Sequence, residues 1–442
     1  MPVPIAPGSS FMPVLPPNSR PANEPWLVYD NRAALQAAGQ RGMHAFITGV
    51  SEYANLPRQG EAGTPSGLGM LRLSSTALTA YLIFDWLLRA DGANSLVAPL
   101  ATCRLLLSAN QNELDRAGPP AITTAPPLRG MSVPACDLNN FTNAAAAWRQ
   151  DAMQQPTDVT LFYFSGHGLQ EPSGNQVLLM EGFGEPVPLG RHMVDALSLR
   201  AGMMPFANNR NDPPPTLPRP DIARTQFYFI DACRNRPDRM PRLQQLGANK
   251  IFDAEDPDIP DDRLAPIFYA ALPEGVAQSD PSQQTLFSLA LLRCLSGEAA
   301  HPPNETETQY YISVHSLHEG LKRPLDEINQ KLGGSQRWQS YGVGEDAILC
   351  YLAGPPSVPI SIVVEPNSAL GQTSVKVKDL NTETDVCSFK SPPDNHPFAR
   401  SLPAGPYQLM PVVDALTAPA TTPKKMTIFV EPLRQRLWKV KV

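Results

Sequence analysis

The 442-residue sequence predicts a mixed α/β protein, a mainly parallel central sheet flanked by helices, followed by a C-terminal all-β sandwich domain. Three observations carry that expectation. Between residues 41 and 353, short apolar runs alternate with helix-patterned segments, the crossover arrangement that parallel strands require. Two of those runs, Phe162-Tyr163-Phe164 and Phe227-Tyr228-Phe229, are alike enough to be neighbouring central strands. After Gly354-Pro355-Pro356 the helical spacing gives way to period-two alternation.

Residues 1–40 are punctuated by proline, which fixes φ and removes backbone donors, so they read as an extended arm that wraps or plugs the body. "MHAFITGV" (43–50) is an apolar, partly β-branched run closed by a turn residue, hence a buried strand. "LRLSSTALTAYLIFDWLLRADG" (71–92) has helical spacing and stops on glycine. "ATCRLLLS" (101–108) is a strand, "NNFTNAAAAWRQDAM" (139–153) an alanine-rich helix, and "VTLFYFSGHG" (159–168) a strand. "PLGRHMVDALSLRAGM" (188–203) reads as a helix, "TQFYFIDACR" (225–234) and "APIFYAALPEG" (265–275) as strands, and "QTLFSLALLRCLSG" (284–297) as a helix. From 355 to 442, "SVPISIVVEP", "TSVKVKDL", "GPYQLMPVV", "KKMTIFVEP" and "RLWKVKV" predict a small antiparallel sandwich that binds a partner, stabilises the first domain or displays it to substrates.

Composition narrows the function. A net charge of −6 without a basic run gives no nucleic-acid footprint. No apolar stretch approaches the roughly 20 residues of a membrane span, and the first residues lack the pattern of a signal peptide, so the expected location is the cytoplasm. The six cysteines are scattered with no C-x-x-C pair, which argues against a zinc ribbon and a disulfide framework. The 49 prolines predict many rigid loops.

Chemistry in open α/β sheets collects at the carboxyl ends of strands. Two strands end in Ser165-Gly166-His167-Gly168 and Asp231-Ala232-Cys233-Arg234, which would bring His167 and Cys233 to the same sheet edge. A cysteine attacks a carbonyl as its thiolate and needs a base beside it. Histidine is the natural partner near neutral pH. Glycines on both sides of His167 permit a sharp turn, and the Gly168 and Cys233 amides could form an oxyanion hole. Two such ligands without a third make a poor zinc site, and no metal is expected.

The S-G-H-G and D-A-C-R segments, with "AFITGVSEY" and "FYAALPEGVAQSD…LFSLALLRCL", resemble the caspase superfamily of cysteine peptidases, especially its bacterial, metacaspase and paracaspase branches. The resemblance covers about residues 41–353 and implies a caspase-like fold. It makes Cys233 the nucleophile, His167 the general base or acid, and the Gly168 and Cys233 amides the oxyanion hole. It also places Asp231 in an S1 pocket for Arg or Lys at P1, completed by Asp280. Ser74-Ser75 stand where some relatives have a third acid, which leaves the choice between Arg and Lys open. The implied function is limited proteolysis of protein substrates in a signalling or defence pathway. A second reading keeps the fold as a catalytically silent scaffold or regulator acting through the β domain.

The long polar loop over 235–266 holds Arg236, Arg239, Arg242 and Lys250, candidate sites for processing by the protein itself or by an activating protease. "DAEDPDIPDD" (253–262) invites a calcium reading, because some metacaspases need calcium, but its spacing does not match an EF-hand and it is expected to be a solvated charge run. His315 and His318 lack a third ligand at metal spacing and read as surface residues. No cofactor is expected. The oligomeric state is open.

Overall fold

The computed structural model describes residues 14–63, 67–115, 131–171, 174–186, 188–204, 222–236, 247–252, 261–278, 284–389, 397–413, 424–434 and 436–442. In chain order the elements used below begin with β1 (Leu27–Asp30), α1 (Arg32–Ala37), β2 (Met43–Val50), α2 (Thr76–Gly92), β3 (Leu100–Ser108), α3 (Gln111–Asp115) and α4 (Leu138–Ala152). Then come β4 (Val159–Gly166), β5 (Gly168–Gln170), β6 (Gln176–Leu179), β7 (Met193–Asp195), α5 (Ala196–Ala201), β8 (Thr225–Ala232), β9 (Ile267–Tyr269) and α6 (Leu286–Arg293). They continue with β10 (Tyr311–Ser313), α7 (Val314–Gly320), α8 (Lys322–Leu332), β11 (Gln339–Tyr341) and β12 (Ile348–Tyr351). The last are β13 (Ser357–Glu365), β14 (Thr373–Asp379), β15 (Asp385–Phe389), β16 (Phe398–Pro403), β17 (Gly405–Val413), β18 (Met426–Val430) and β19 (Leu437–Lys441). Two compact units emerge, residues 1–292 with 322–347 and residues 293–321 with 348–442.

The first unit is organised by a seven-stranded sheet in the order β1-β3-β2-β4-β8-β9-β11. β3, β2, β4, β8 and β9 run parallel, and β1 and β11 add antiparallel edges. β2, β3 and β4 are buried along their whole length, which is why they read as nearly continuous apolar runs. Side chains of Phe46, Phe162 and Tyr228 from adjacent strands meet Phe141 and Trp148 of α4 at ring separations of 5.2 to 6.3 Å. The Trp148 indole N–H donates to the His44 carbonyl (2.9 Å), giving a fully buried ring its polar partner. On the other face α2 presses so closely on β2 that a Cβ at Gly49 would stand 2.7 Å from that of Ala80.

Several expectations need correction. Within the segment read as an extended arm, Leu27, Val28 and Tyr29 are buried and form an edge strand on β3. The helix expected from 71 begins at Thr76. The segment 188–203, read as one helix, instead holds a short 3₁₀ turn, then β7, then α5. Met193 and Val194 are buried and pair with β6, and Asp195 caps α5 by accepting from the Leu197 and Ser198 amides. The last helix of this pattern ends as α6 and passes into a wide turn over Cys294–Glu298, where Gly297 takes φ 121°.

The second unit has its own core. Its strands form a three-stranded sheet, β16-β13-β19, a four-stranded sheet, β15-β14-β17-β18, and the pair β10-β12. Val358, Ile360, Ile362 and Val364 of β13 cluster with Val375 and Val377 of β14, Leu409 of β17 and Val440 of β19. The alternating residues Lys376, Lys439 and Lys441 stay exposed. Pairing is antiparallel except between β13 and β19, which run parallel, contrary to the all-antiparallel expectation. Period-two alternation fixes which face is buried and is silent on strand direction. No helix among the described residues is long and apolar enough to cross a membrane.

Candidate active site

β4 and β8 pair in parallel from Val159↔Thr225 to Gly166↔Ala232. His167 and Cys233 are the next residues of each strand, so the register alone delivers both to the carboxyl edge of the sheet. They leave the ladder here because each strand ends in small residues. A Cβ at Gly168 would stand 2.5 Å from the Cys233 carbonyl oxygen and 2.9 Å from the Ala232 Cβ, so this approach of the two loops needs glycine.

His167 is held on three sides. Its backbone N–H donates to the Tyr53 hydroxyl (2.8 Å), and the Tyr53 ring lies 4.9 Å from the imidazole centre. The hydroxyl in turn donates to the Leu179 carbonyl (3.2 Å). The Nε2 atom lies 2.7 Å from the Leu71 carbonyl, which can only accept. Nε2 therefore carries the proton in the neutral ring, and Nδ1 is left with the lone pair. Although part of the residue still touches solvent, the protein packed around the ring pushes its pKa down to about 4, against the opposing pull of the Leu71 carbonyl.

The Cys233 thiol is only partly exposed. Its Sγ takes the Ala277 N–H (3.3 Å) and lies 3.7 Å from the Ala277 carbonyl. Burial raises the pKa of the thiol, and the charge of Asp231 adds to that rise. No hydrogen bond joins the imidazole to the thiol, and both are held neutral in this arrangement. The Cys233 carbonyl accepts from Gln176 Nε2 (3.1 Å), which ties the Cys233 loop to β6.

Asp231 is 1% exposed and sits on the face of β8 opposite Tyr228 and Ile230. Its Oδ2 accepts from the Tyr163 hydroxyl (2.9 Å) and from the Thr285 hydroxyl in a very short contact. Its Oδ1 is buried with no hydrogen-bond partner among the described residues. Burial pushes the carboxyl up to about 7, although both hydroxyls work in the opposite direction.

Asp280, Arg239 and Arg242 lie outside the described residues, as does 253–260 of the acidic stretch. Arg236 is exposed and donates through Nη2 to the Glu171 carbonyl (2.8 Å); Lys250 is exposed beside Asn249, which bridges to Val194. Sequence reasoning missed the supports of the site, namely the Leu71 carbonyl, Gln176, Ala277 and Thr285. Backbone groups and distant polar side chains leave no motif. Tyr53, at the turn after β2, and Ala277 did lie in segments that carry the resemblance, without any sign of these roles. Among the described residues, no three His, Cys, Asp or Glu side chains gather into a metal-holding group.

No curated protein matches the chain. Among solved structures, protein GSU0716 from Geobacter sulfurreducens is similar at 12% identity and a TM-score of 0.36, covering 68% of this chain and 92% of that one. Likeness at that level transfers nothing about fold or function. The family model of the caspase domain matches residues 130–337, a span that contains β4, β8, His167 and Cys233. That match places the domain over residues 130–337 in the caspase-like cysteine peptidase superfamily.

Proposed function

We propose that the protein is a cysteine endopeptidase that cuts protein substrates after a basic residue, Arg or Lys, in a limited and regulated way. The observation that carries this reading is the β4/β8 register, which makes His167 and Cys233 the next residues after a paired Gly166 and Ala232. Neutral His167 takes the thiol proton at Nδ1 while Leu71 holds Nε2, the base-and-orienter logic of a catalytic triad with a backbone carbonyl as third member. The thiolate sulfur bonds to the scissile carbonyl carbon, and the Gly168 and Cys233 amides receive the developing oxyanion. The imidazolium then protonates the leaving amine, and water hydrolyses the thioester.

Asp231 selects the substrate in this reading. Its unpartnered Oδ1 is an acceptor left without a donor, and a cationic P1 side chain would satisfy it. Asp280 would complete S1.

The resting arrangement, with thiol and imidazole each turned to a backbone carbonyl, favours a zymogen. Cutting within 235–266, at Arg236, Arg239, Arg242 or Lys250, by the chain itself or by an activating protease, would release the loop that follows the nucleophile. The β strands of 355–442 serve as an accessory sandwich for partner binding or display. Six free cysteines suit a reducing compartment such as the cytoplasm. A bacterial cell-death or anti-phage pathway would use such limited cleavage.

The test is cleavage of fluorogenic peptides with Arg, Lys, Asp or Gln at P1 by wild type and Cys233→Ala, before and after nicking of the 235–266 loop. Cysteine-dependent cleavage after Arg is expected. If a folded, nicked protein cleaves nothing and yet binds a partner through 355–442, the chain is a catalytically silent regulator.

A further inference from the structure

Beside the nucleophile's loop lies a cavity of about 370 Å³ whose walls include Gln176, Leu197, Arg200, Arg234, Tyr269 and Tyr341. Among the described residues, two guanidinium groups and no carboxylate line it. Other buried arginines of this unit are ion-paired. Arg104 meets Asp151 (2.5 Å) and Glu24 (2.8 Å), and Arg263 meets Asp261 (2.8 Å).

Arg234 is 5% exposed and has no such partner among the described residues. Its Nη1 donates to the neutral Gln339 amide oxygen (3.1 Å), its guanidinium lies 4.5 Å over the Tyr269 ring, and its Nε has no hydrogen-bond partner among the described residues. Among the described residues, Arg200 donates only through Nε, to the Ala265 carbonyl (2.9 Å). The carboxylate of Asp195, which acts on Tyr269, is engaged in capping α5. A buried cation that meets only neutral dipoles is under-compensated, and an oxyanion is the group that completes it.

We propose that this cavity binds a compact polyanion of the phosphate class, gripped by Arg200 and Arg234. Phosphate oxygens accept several guanidinium donors at once. The volume lies near the lower end of the roughly 300–1,000 Å³ of small-molecule sites, and Tyr269 and Tyr341, edge to face at 5.8 Å, give the organic part of such a ligand an aromatic wall. Arg234 follows Cys233 directly, its backbone N–H donates to the Gly275 carbonyl (2.9 Å), and Gln176 of the same wall holds the Cys233 carbonyl. Occupancy therefore bears on the position of the nucleophile. That regulatory part rests on the peptidase reading above; the binding itself does not.

The test is calorimetric titration of the full chain with inorganic pyrophosphate at constant ionic strength, alongside Arg200→Gln and Arg200→Lys, with melting curves to confirm folding. Saturable 1:1 binding is expected, weakened at least about tenfold in Arg200→Gln and less in Arg200→Lys. Folded wild type that shows no saturable binding, or a folded Arg200 variant of either kind with unchanged affinity, overturns the proposal. Cleavage of the Arg peptide is then measured with and without pyrophosphate. A change in rate in wild type that is lost in Arg200→Gln supports the coupling, and an unchanged wild-type rate at saturating pyrophosphate refutes it. Pyrophosphate binding that Arg200→Gln abolishes, with no cleavage by any form, keeps the anion site and refutes the peptidase reading.

Discussion

Replacing Asp231 by Asn tests the electrostatics at the centre of the site. The carboxyl is buried, and its pKa rises from 3.8 in the unfolded chain to about 7 in the fold. Between those values the unfolded chain has released the proton and the folded one retains it, so stability falls as pH rises, by about 1.4 kcal/mol per unit. From pH 5 to pH 8 this single group should cost wild type about 3 kcal/mol, most of it below pH 7. The amide introduced by Asp231→Asn would accept the same two hydroxyl bonds without titrating, and it would place its NH₂ group where Oδ1 is already unpartnered. The remaining groups cancel in the difference between the two proteins. Urea unfolding followed by tryptophan fluorescence suits the measurement, since Trp26, Trp86, Trp148 and Trp338 of the five tryptophans lie in the first unit. The stability of Asp231→Asn relative to wild type should increase by about 3 kcal/mol over that range. A flat difference, or one that grows toward low pH, would refute the raised pKa.

Three further outcomes follow from the same geometry. If Asp231 receives a cationic P1 side chain, kcat/KM for Arg peptides should climb through about pH 7, and uncharged-P1 peptides should lack that limb; identical profiles would contradict the assignment. Gly168→Ala would drive a Cβ to 2.5 Å from the Cys233 carbonyl oxygen, so kcat should fall by about 10² while the thiol stays alkylatable, and unchanged kcat would show that the two loops can part without cost. Tyr53→Phe leaves the His167 N–H without its acceptor in a buried site, which should cost about 1–3 kcal/mol in urea unfolding and slow cleavage as well.

The juxtaposition of His167 and Cys233 was legible because strand ends expose their residue types in order. An apolar run followed by S-G-H-G or D-A-C-R announces both where the strand stops and which side chains stand there. The central strands β2, β3, β4 and β8 were legible for a related reason, since burial on both faces leaves near-continuous apolar runs. The edges were not. β1 lies among prolines, and β11 is three residues of polar or aromatic character, so neither shows a period. β7 was hidden inside a helical pattern because Met193-Val194 is too short to register as a strand without β6 beside it. The walls of the anion cavity come from β6, α5, the end of β8, β9 and β11, and no local pattern joins Arg200 to Tyr341.

The most direct test of the central claim is trapping with a peptidyl-arginine chloromethyl ketone, with the adduct located by mass spectrometry in wild type, His167→Ala and Asp231→Asn. If Cys233 attacks, His167 takes its proton and Asp231 reads the arginine, the label should appear on Cys233 alone in wild type. Labelling should be slowed by about 10² or more in His167→Ala, and in Asp231→Asn it should lose its preference over a ketone with neutral P1. A label spread over other cysteines, or one on Cys233 indifferent to both His167 and Asp231, would contradict the account.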